Sequence, residues 1–578
     1  MTYGDDDNAD RQNLCQHYWT FCNGGEYNHC IRKNHYKRGA GRLKKQTYLK
    51  GSLILMISAA AAKLLGALFK IPLTNILGGV GMSYFSCAYS IFMPVYALIV
   101  TGISSAVAAM TAKSAALGLY RNAKKIRSTA LMIFSAAGIP GSMLMILLAK
   151  PFSVYSVNTP DAAAAVAMIA PAVFFGCITA SLRGYYEGMS NMYPTAVSQV
   201  IEGLVKVFSG LWLCGYVTEN ADAVLNYFPG ITDIRAIAAA AGILGVTLSS
   251  VGAAIYLGIM QLFVHNENGR DHTVMSRKAI SRELIRTALP IGTSAVVTNL
   301  TALIDMWTVI SCLGFFGASM SVPESISPDE FPQFVYGSFA GIALTVFNLV
   351  PSVTNMLGKG ALTCAASAKE RGDNIELRRS TMQSLLIAAV ISVPAASGLA
   401  ALSPEILGFL FPRQSDEVSV CVNALRLLMP GMICLCISFP LFSMLQAVGK
   451  PSMPLKIMLI GTAAKLLGNL GLIPVMGVNG AAVSTSLCYV LILALSLRAY
   501  RKASGVVIDK APFFKVVYSG AMCGISAYLV SSTMSRAGVG GLTRVASAVV
   551  CGGSVYILVM IVIFGREALH KNKSPKRA

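Results

Sequence analysis

Charge is what this sequence has least of. Asp, Glu, Lys and Arg make up 13% of its 578 residues, against about 25% in a soluble globular chain. Acidic residues are the scarcer, 26 against 47 Lys and Arg. Histidine occurs at His17, His29, His35, His265, His272 and His570, never within an apolar stretch, which excludes a histidine proton relay inside a membrane. No glycine-rich loop of the Walker type is present, which excludes an intrinsic ATPase. No connection between apolar segments is long enough to hold a catalytic domain, so the chain does not read as an enzyme. Residues 1 to 50 are polar, and no secretory signal is expected there.

Apolar sequence fills the chain instead, at 54% hydrophobic. That excludes a soluble enzyme, a disordered tail protein and a disulfide scaffold, and it specifies an all-α polytopic membrane protein. Of 14 Cys, three lie in the first 30 residues and the rest are scattered through apolar segments, where a free thiol acts as a small apolar group.

A spanning helix needs roughly 20 mostly apolar residues. Such stretches lie near 52–78, 84–112, 128–149, 162–183, 194–217, 235–264, 284–312, 334–358, 380–403, 420–447, 453–475, 477–498, 514–535 and 543–565, fourteen in all. The links after the first and the eleventh are the weakest divisions. A net charge of +21 would suggest a nucleic-acid partner in a soluble protein; here none is expected, because the charge alternates with the loops. Basic runs such as Lys113 to Arg127, Arg277 to Arg282, Lys369 to Arg379 and Arg498 to Lys510 fall on one side. The loops with Glu219, Asp222 and Asp233, and with Glu324, Asp329 and Glu330, fall on the other. Only fourteen spans keep this phase, which predicts the cell membrane with both termini cytoplasmic.

An internal repeat is visible. Glu187-Gly188, Pro194 and Lys206 around the fifth span match Gln446 to Gly449, Pro454 and Lys465 around the eleventh, at an offset near 260 residues. An even number of spans separates the copies, so the halves share one orientation. The expected organisation is a polar cytoplasmic tail over 1–48, read as disordered, an N-terminal lobe over 49–264, a C-terminal lobe over 265–500, and two further spans with a basic tail over 501–578. Cys15, Cys22 and Cys30 in that tail are spaced too widely for a zinc site, and no metal is expected.

Ionisable groups inside a span cost about 2.5 to 3.5 kcal/mol each on insertion scales and usually face a cavity or a partner. They are Lys63 and Lys70 in the first span, Glu202 and Lys206 in the fifth, Asp305 in the seventh and Lys465 in the eleventh. Lys63 and Lys70 are seven apart and share a helix face. Glu202 and Lys206 are four apart, the spacing of a helical ion pair; read structurally, they form a buried pair and Lys70 snorkels to the outer interface. Lys63 and Lys465 have no obvious local partner. Arg183 and Arg426 are expected to snorkel from cytoplasmic ends. Four ammonium groups against two carboxylates make a cationic cavity, suited to an anionic head group such as a lipid pyrophosphate. Lys63, Lys70, Lys206 and Lys465 are therefore the candidate substrate-binding residues. Glu202 and Asp305 are candidates for ion coupling or charge balance. No catalytic residue is assigned.

Four stretches, KQTYLKGSLILMISAAAAKLLGALFKIPLTNILGGVGMSYFSCAYSIF (45–92), LRGYYEGMSNMYPTAVSQVIEGLVKV (182–207), LPIGTSAVVTNLTALID (289–305) and LQAVGKPSMPLKIMLIGTAAKLLGNLGLIPVMGVNGAAVSTSLCY (445–489), together resemble the stage V sporulation protein B family. That family belongs with the polysaccharide flippases of the MOP superfamily and is related to the lipid II flippases. The resemblance runs from about 45 to 500; Lys70 stands where relatives commonly carry Arg, and Glu187 where they often carry Gln. It implies two six-span lobes plus two helices, a central cavity, alternating access and a lipid-linked sugar cargo. Partners would be that lipid-linked sugar, membrane lipids, and wall-synthesis or polysaccharide-assembly proteins. No resident cofactor is implied; Na+, H+ or the membrane potential are the candidate energy sources. A multidrug or cation antiporter of the same superfamily is the alternative, and it would want uncompensated carboxylates. A membrane-embedded glycosyl or phosphate transferase would need clustered Asp, His or Arg at the membrane surface, which the sequence does not show.

Overall fold

The computed structural model describes residues 48–158, 160–227, 233–262, 275–316, 326–355, 369 and 373–573. Among them every regular element is helical. The cysteine- and histidine-bearing tail lies outside the described residues, as does the basic loop segment 263–274. In chain order the main helices are α1 (Tyr48–Tyr96), α2 (Gly102–Ala116), α3 (Tyr120–Val157), α4 (Pro171–Gly188), α5 (Tyr193–Glu219), α6 (Ile234–Leu262), α7 (Arg277–Phe316), α8 (Pro328–Phe347), α9 (Asn374–Ala401), α10 (Ser415–Ala447), α11 (Met453–Met476), α12 (Val478–Ser504), α13 (Ala511–Arg536) and α14 (Gly541–Lys573). Short helices join them, among them Ala163–Ile169, Leu349–Asn355 and Ser403–Leu410.

Twelve stretches of the described residues are long and apolar enough to cross a membrane. The first, Ile57–Ala116, runs for 60 residues, and at 1.5 Å per residue would extend about 90 Å, three times the hydrocarbon core. It does not run straight. Gly78 leaves the helical region at φ 65, ψ −175, a conformation that glycine adopts without a Cβ clash. The link expected at 79–83 is thus a single residue. The link expected after the eleventh stretch is likewise one glycine, Gly477, at φ 58. The eighth expected span, 334–358, starts earlier as α8 and bends by 45° into Leu349–Asn355.

α7 begins at Arg277 rather than near 284, because its basic first turns are amphipathic. Ile280, Leu284 and Ala288 bury one face in a cluster with Ile103 and Val107 of α2, while the charges stay outside. The two repeat junctions share a backbone feature. A left-handed residue, Ser190 (φ 59) in one and Gly449 (φ 82) in the other, precedes a helix carrying proline in its first turn, where the missing N–H costs nothing.

Large apolar side chains stand exposed along whole helix faces: Leu64 and Leu68 on α1, Ile139, Met143 and Leu147 on α3, and Phe208 and Trp212 on α5. Contiguous apolar surface of this extent is solvated by lipid, not water. The protein is a multi-pass membrane protein.

Two seams join helices α1–α6 to α7–α12. At one, Gly337 of α8 lies so close to Gly79 that a Cβ on it would collide with the Gly79 carbonyl oxygen. At the other, Gly292 of α7 lies against the Leu98 carbonyl, and Gly102 against that of Ala288. Both seams depend on residues without a side chain.

Candidate functional site

The first group forms where α1 meets α5. Lys63 and Lys70 extend from α1, and the Lys206 ammonium of α5 sits over the Phe69 ring, 5.7 Å from its centroid. Lys206 also faces Gly66, where even a Cβ would approach its Nζ to 4.0 Å. Its ammonium thus lies over the part of α1 between Lys63 and Lys70, and both Glu202 and Lys63 are near enough to act on it electrostatically, Glu202 the more strongly. Two of the four lysines singled out in the sequence, Lys63 and Lys206, therefore come together, while Lys70 lies two turns beyond Lys63 and points to α8.

Glu202 does not pair with Lys206 as the i,i+4 spacing suggested. Its Oε2 accepts from Arg183 Nη2 at 2.8 Å, and Arg183 Nε donates to Ser198 Oγ at 2.9 Å. Arg183 is buried, not snorkelling. A guanidinium placed there needs a counter-charge, and the carboxylate supplies it through a single Nη2–Oε2 contact while Ser198 takes the Nε–H. Lys206 has its closest contact with the aromatic ring and feels Glu202 only at longer range. Arg426, also expected to snorkel, donates Nε to the Ala400 carbonyl at the C-terminal end of α9.

Lys70 neither snorkels nor hangs free. Its Nζ donates to the Ala340 carbonyl at 2.8 Å. Ala340 lies in a π-turn, Phe339–Ala343, within α8. A π-turn shifts the hydrogen-bond ladder and changes which carbonyls are available, and this one presents Ala340 and Gly341 toward α1. Thr74 Oγ1 reaches the Gly341 carbonyl at 3.4 Å.

Lys465 stands elsewhere and is the main correction. Its Nζ lies 2.6 Å from Asp305 Oδ2, and both side chains are nearly inaccessible. Asn469 donates to Asp305 Oδ1 at 3.1 Å and to Thr308 Oγ1 at 2.8 Å. The expected absence of a partner fails because the partner is on another helix, α7. An ammonium and a carboxylate that are both costly in the bilayer compensate each other. Lys465 is thereby removed from the group at α1, and Asp305 is occupied. Asn469 was missed, although it lies four residues from Lys465 and so shares its face.

A third group borders the Gly79–Gly337 seam. Asp233 accepts from Tyr84 Oη at 3.1 Å and from Arg235 Nε at 2.9 Å, and Arg235 reaches on to Glu330 at the start of α8. Glu417 of α10 accepts from the Gly79 N–H at 3.0 Å, Asn75 donates to the Leu410 carbonyl, and Gln414 to that of Asn75. A cleft of about 150 Å³ opens between Gly78, Arg235, Phe334 and Glu417. Sequence reasoning used Asp233 and Glu330 only as loop markers and overlooked Arg235 and Glu417. A basic residue beside an acidic loop was the available signal. Among the described residues no group of His, Cys, Asp and Glu could hold a metal ion.

A family model described as polysaccharide biosynthesis protein matches residues 48–316, and the model of the lipid II flippase MurJ matches 353–548. Stage V sporulation protein B of Bacillus subtilis is 23% identical over 90% of this chain and 96% of its own length. The lipid II flippase MurJ of the same organism is 22% identical over 79% and 83%. In fold, the chain is similar to a solved lipid II flippase MurJ in an inward closed conformation, with TM-score 0.66 and 14% identity over 89% of this chain and all of that one. An inward-facing MATE multidrug resistance transporter follows at TM-score 0.61 and 14% identity, over 78% and 98%. Two family models in succession, and curated relatives matched over most of their own length, make this chain similar to polysaccharide biosynthesis proteins and lipid II flippases.

Proposed function

We propose that this protein is an alternating-access flippase that carries an undecaprenyl-pyrophosphate-linked glycan, of the peptidoglycan or polysaccharide precursor type, across the cytoplasmic membrane. Counting the two arms of the stretch that turns at Gly78 separately, and the bent pair at 328–355 as one, gives fourteen crossings. In this reading they form lobes over 49–264 and 265–500 plus a C-terminal pair, with both termini cytoplasmic.

The observation that carries the reading is the approach of the Lys206 ammonium to the Lys63 side of α1, with Lys70 two turns further along the same helix. The carboxylate in the group, Glu202, is already neutralised by Arg183. The residual charge is cationic, and low-dielectric walls concentrate its potential on a phosphorylated head group. Ammonium groups grip phosphate as point charges, which suits a head group that must also be released. The polyprenyl tail would remain in lipid beside the exposed apolar faces. Lys465 and Asp305 hold the second lobe together in this account, and the membrane potential or an ion acting elsewhere would drive the cycle.

The MATE likeness favours a second reading, a multidrug or cation antiporter. A cationic drug would need an available carboxylate at bilayer depth. Glu202 and Asp305 both carry a basic partner, so this reading ranks below the first. Reconstituted protein given a fluorescent lipid-pyrophosphate-linked sugar tests both. Translocation that falls to background in Lys63→Ala and Lys206→Ala supports the flippase. Efflux of cationic dyes without lipid translocation supports the antiporter.

A further inference from the structure

We infer that Lys70 couples cargo capture to the opening of the seam between the two halves of the chain: a phosphorylated head group displaces the Ala340 carbonyl from its ammonium and thereby frees α8 from α1. This inference rests on the lipid-pyrophosphate reading above and adds a mechanism to it.

Lys70 belongs to two structures at once. It follows Phe69, whose ring lies under the Lys206 ammonium, and stands two turns beyond Lys63 on the same helix. Its ammonium, however, is spent on the π-turn of α8, 270 residues away in sequence. The acceptor is a neutral carbonyl that also takes the Thr345 hydroxyl at 3.3 Å. Three residues before it, Gly337 makes the backbone contact with Gly79. The link therefore fastens the same seam that the glycine pair closes.

A hydrogen bond from ammonium to phosphate joins two opposite charges, whereas the bond to Ala340 joins an ion to a neutral dipole, so the phosphate is the stronger acceptor. A pyrophosphate drawn toward Lys63 and Lys206 would compete for the Lys70 donor and win. The Ala340 carbonyl keeps the Thr345 hydroxyl, so release strands no buried acceptor. A ligand shifts a conformational equilibrium only by its differential affinity for the two states. Here the difference is built in, because Lys70 can serve phosphate only where it has let go of α8. The Thr74 link to Gly341 at 3.4 Å is too long to hold the seam by itself.

Hydrogen–deuterium exchange of the full chain in lipid nanodiscs tests this, read over residues 328–347 and 66–79. The probes are undecaprenyl pyrophosphate and, as the uncharged control, undecaprenol. In wild type, undecaprenyl pyrophosphate should speed exchange over both segments by about threefold to tenfold, the ratio set by one net hydrogen bond, and undecaprenol should not. In Lys70→Met, exchange should be raised by that factor without any probe and should respond no further. Lys70→Gln, which keeps a polar group but is too short to span the gap, should behave like Lys70→Met, so the test survives if one of the two folds poorly. Wild-type exchange in both variants without probe, or a probe response in them equal to wild type, would overturn the coupling while leaving the cargo reading intact. A wild-type protein that binds no undecaprenyl pyrophosphate rejects the cargo reading, and the coupling with it.

Discussion

The ammonium of Lys465 and the carboxylate of Asp305 lie 2.6 Å apart, 160 residues distant in sequence, and both are almost wholly buried. Either charge alone would be out of place at that depth. Together, with Asn469 donating to the second carboxylate oxygen, they form a neutral, hydrogen-bonded unit joining α7 to α11.

That unit predicts strong non-additivity. Lys465→Met or Asp305→Asn alone leaves an uncompensated buried group and should destabilise the protein by about 3 to 5 kcal/mol. The double variant removes both charges and should lose much less than the sum. Thermal unfolding in detergent of all four proteins closes the cycle. Additive losses would show that the two side chains do not stabilise each other.

Arg183 and Lys206 should part company in the same way. Arg183→Met removes a buried guanidinium and leaves the partly exposed Glu202 carboxylate without its partner, and should lower stability by about 1.5 to 3 kcal/mol, the scale of a hydrogen bond to a charged group. Lys206→Met removes one ammonium over an aromatic ring, a contact of about 0.5 to 2 kcal/mol, and keeps the stem's packing. Its stability should stay near wild type while lipid translocation falls. A Lys206→Met protein that unfolds as readily as Arg183→Met would give Lys206 a structural role.

Much of this was legible in advance, and the misses share a cause. Apolar length located most of the stretches able to cross a membrane, and the two weakest links proved to be single glycines with positive φ, Gly78 and Gly477. Helical spacing put Lys63 and Lys70 on one face. What spacing could not show is contact between helices. Glu202 found Arg183 on α4 instead of Lys206 one turn away, because a forked guanidinium held by Ser198 as well outcompetes an ammonium that has a ring to lie on. Lys465 found Asp305 across 160 residues. The acceptor for Lys70 is a backbone carbonyl in a π-turn, and neither has a signature in the sequence.

Gly337→Ala should disrupt the seam with α1. Its Cβ has no room beside the Gly79 carbonyl, and backbone on backbone cannot yield as a side-chain tip can, so a loss above the usual 1 to 3 kcal/mol of overpacking, about 3 or more, is expected. Gly215→Ala, where a Cβ meets nothing within 4 Å, is the matched control. Equal melting temperatures for the two would mean that the seam relaxes freely.

The ion pair from Arg235 to Glu330 sits half-exposed at the same seam. Glu330→Gln should therefore change global stability by less than about 1 kcal/mol yet raise exchange over residues 328–338. Salt should mimic the substitution in wild type. A large stability loss would mean that the pair is far better shielded than its exposure indicates.

The central claim is that Lys63 and Lys206 bind a phosphorylated head group. The most direct measurement is the affinity of undecaprenyl pyrophosphate for wild-type, Lys63→Ala and Lys206→Ala protein in nanodiscs, with undecaprenol as the reference ligand. Each substitution should weaken pyrophosphate binding by about tenfold or more, the scale of a hydrogen bond to a charged group, and leave undecaprenol unchanged. Equal pyrophosphate affinity in all three proteins would contradict it.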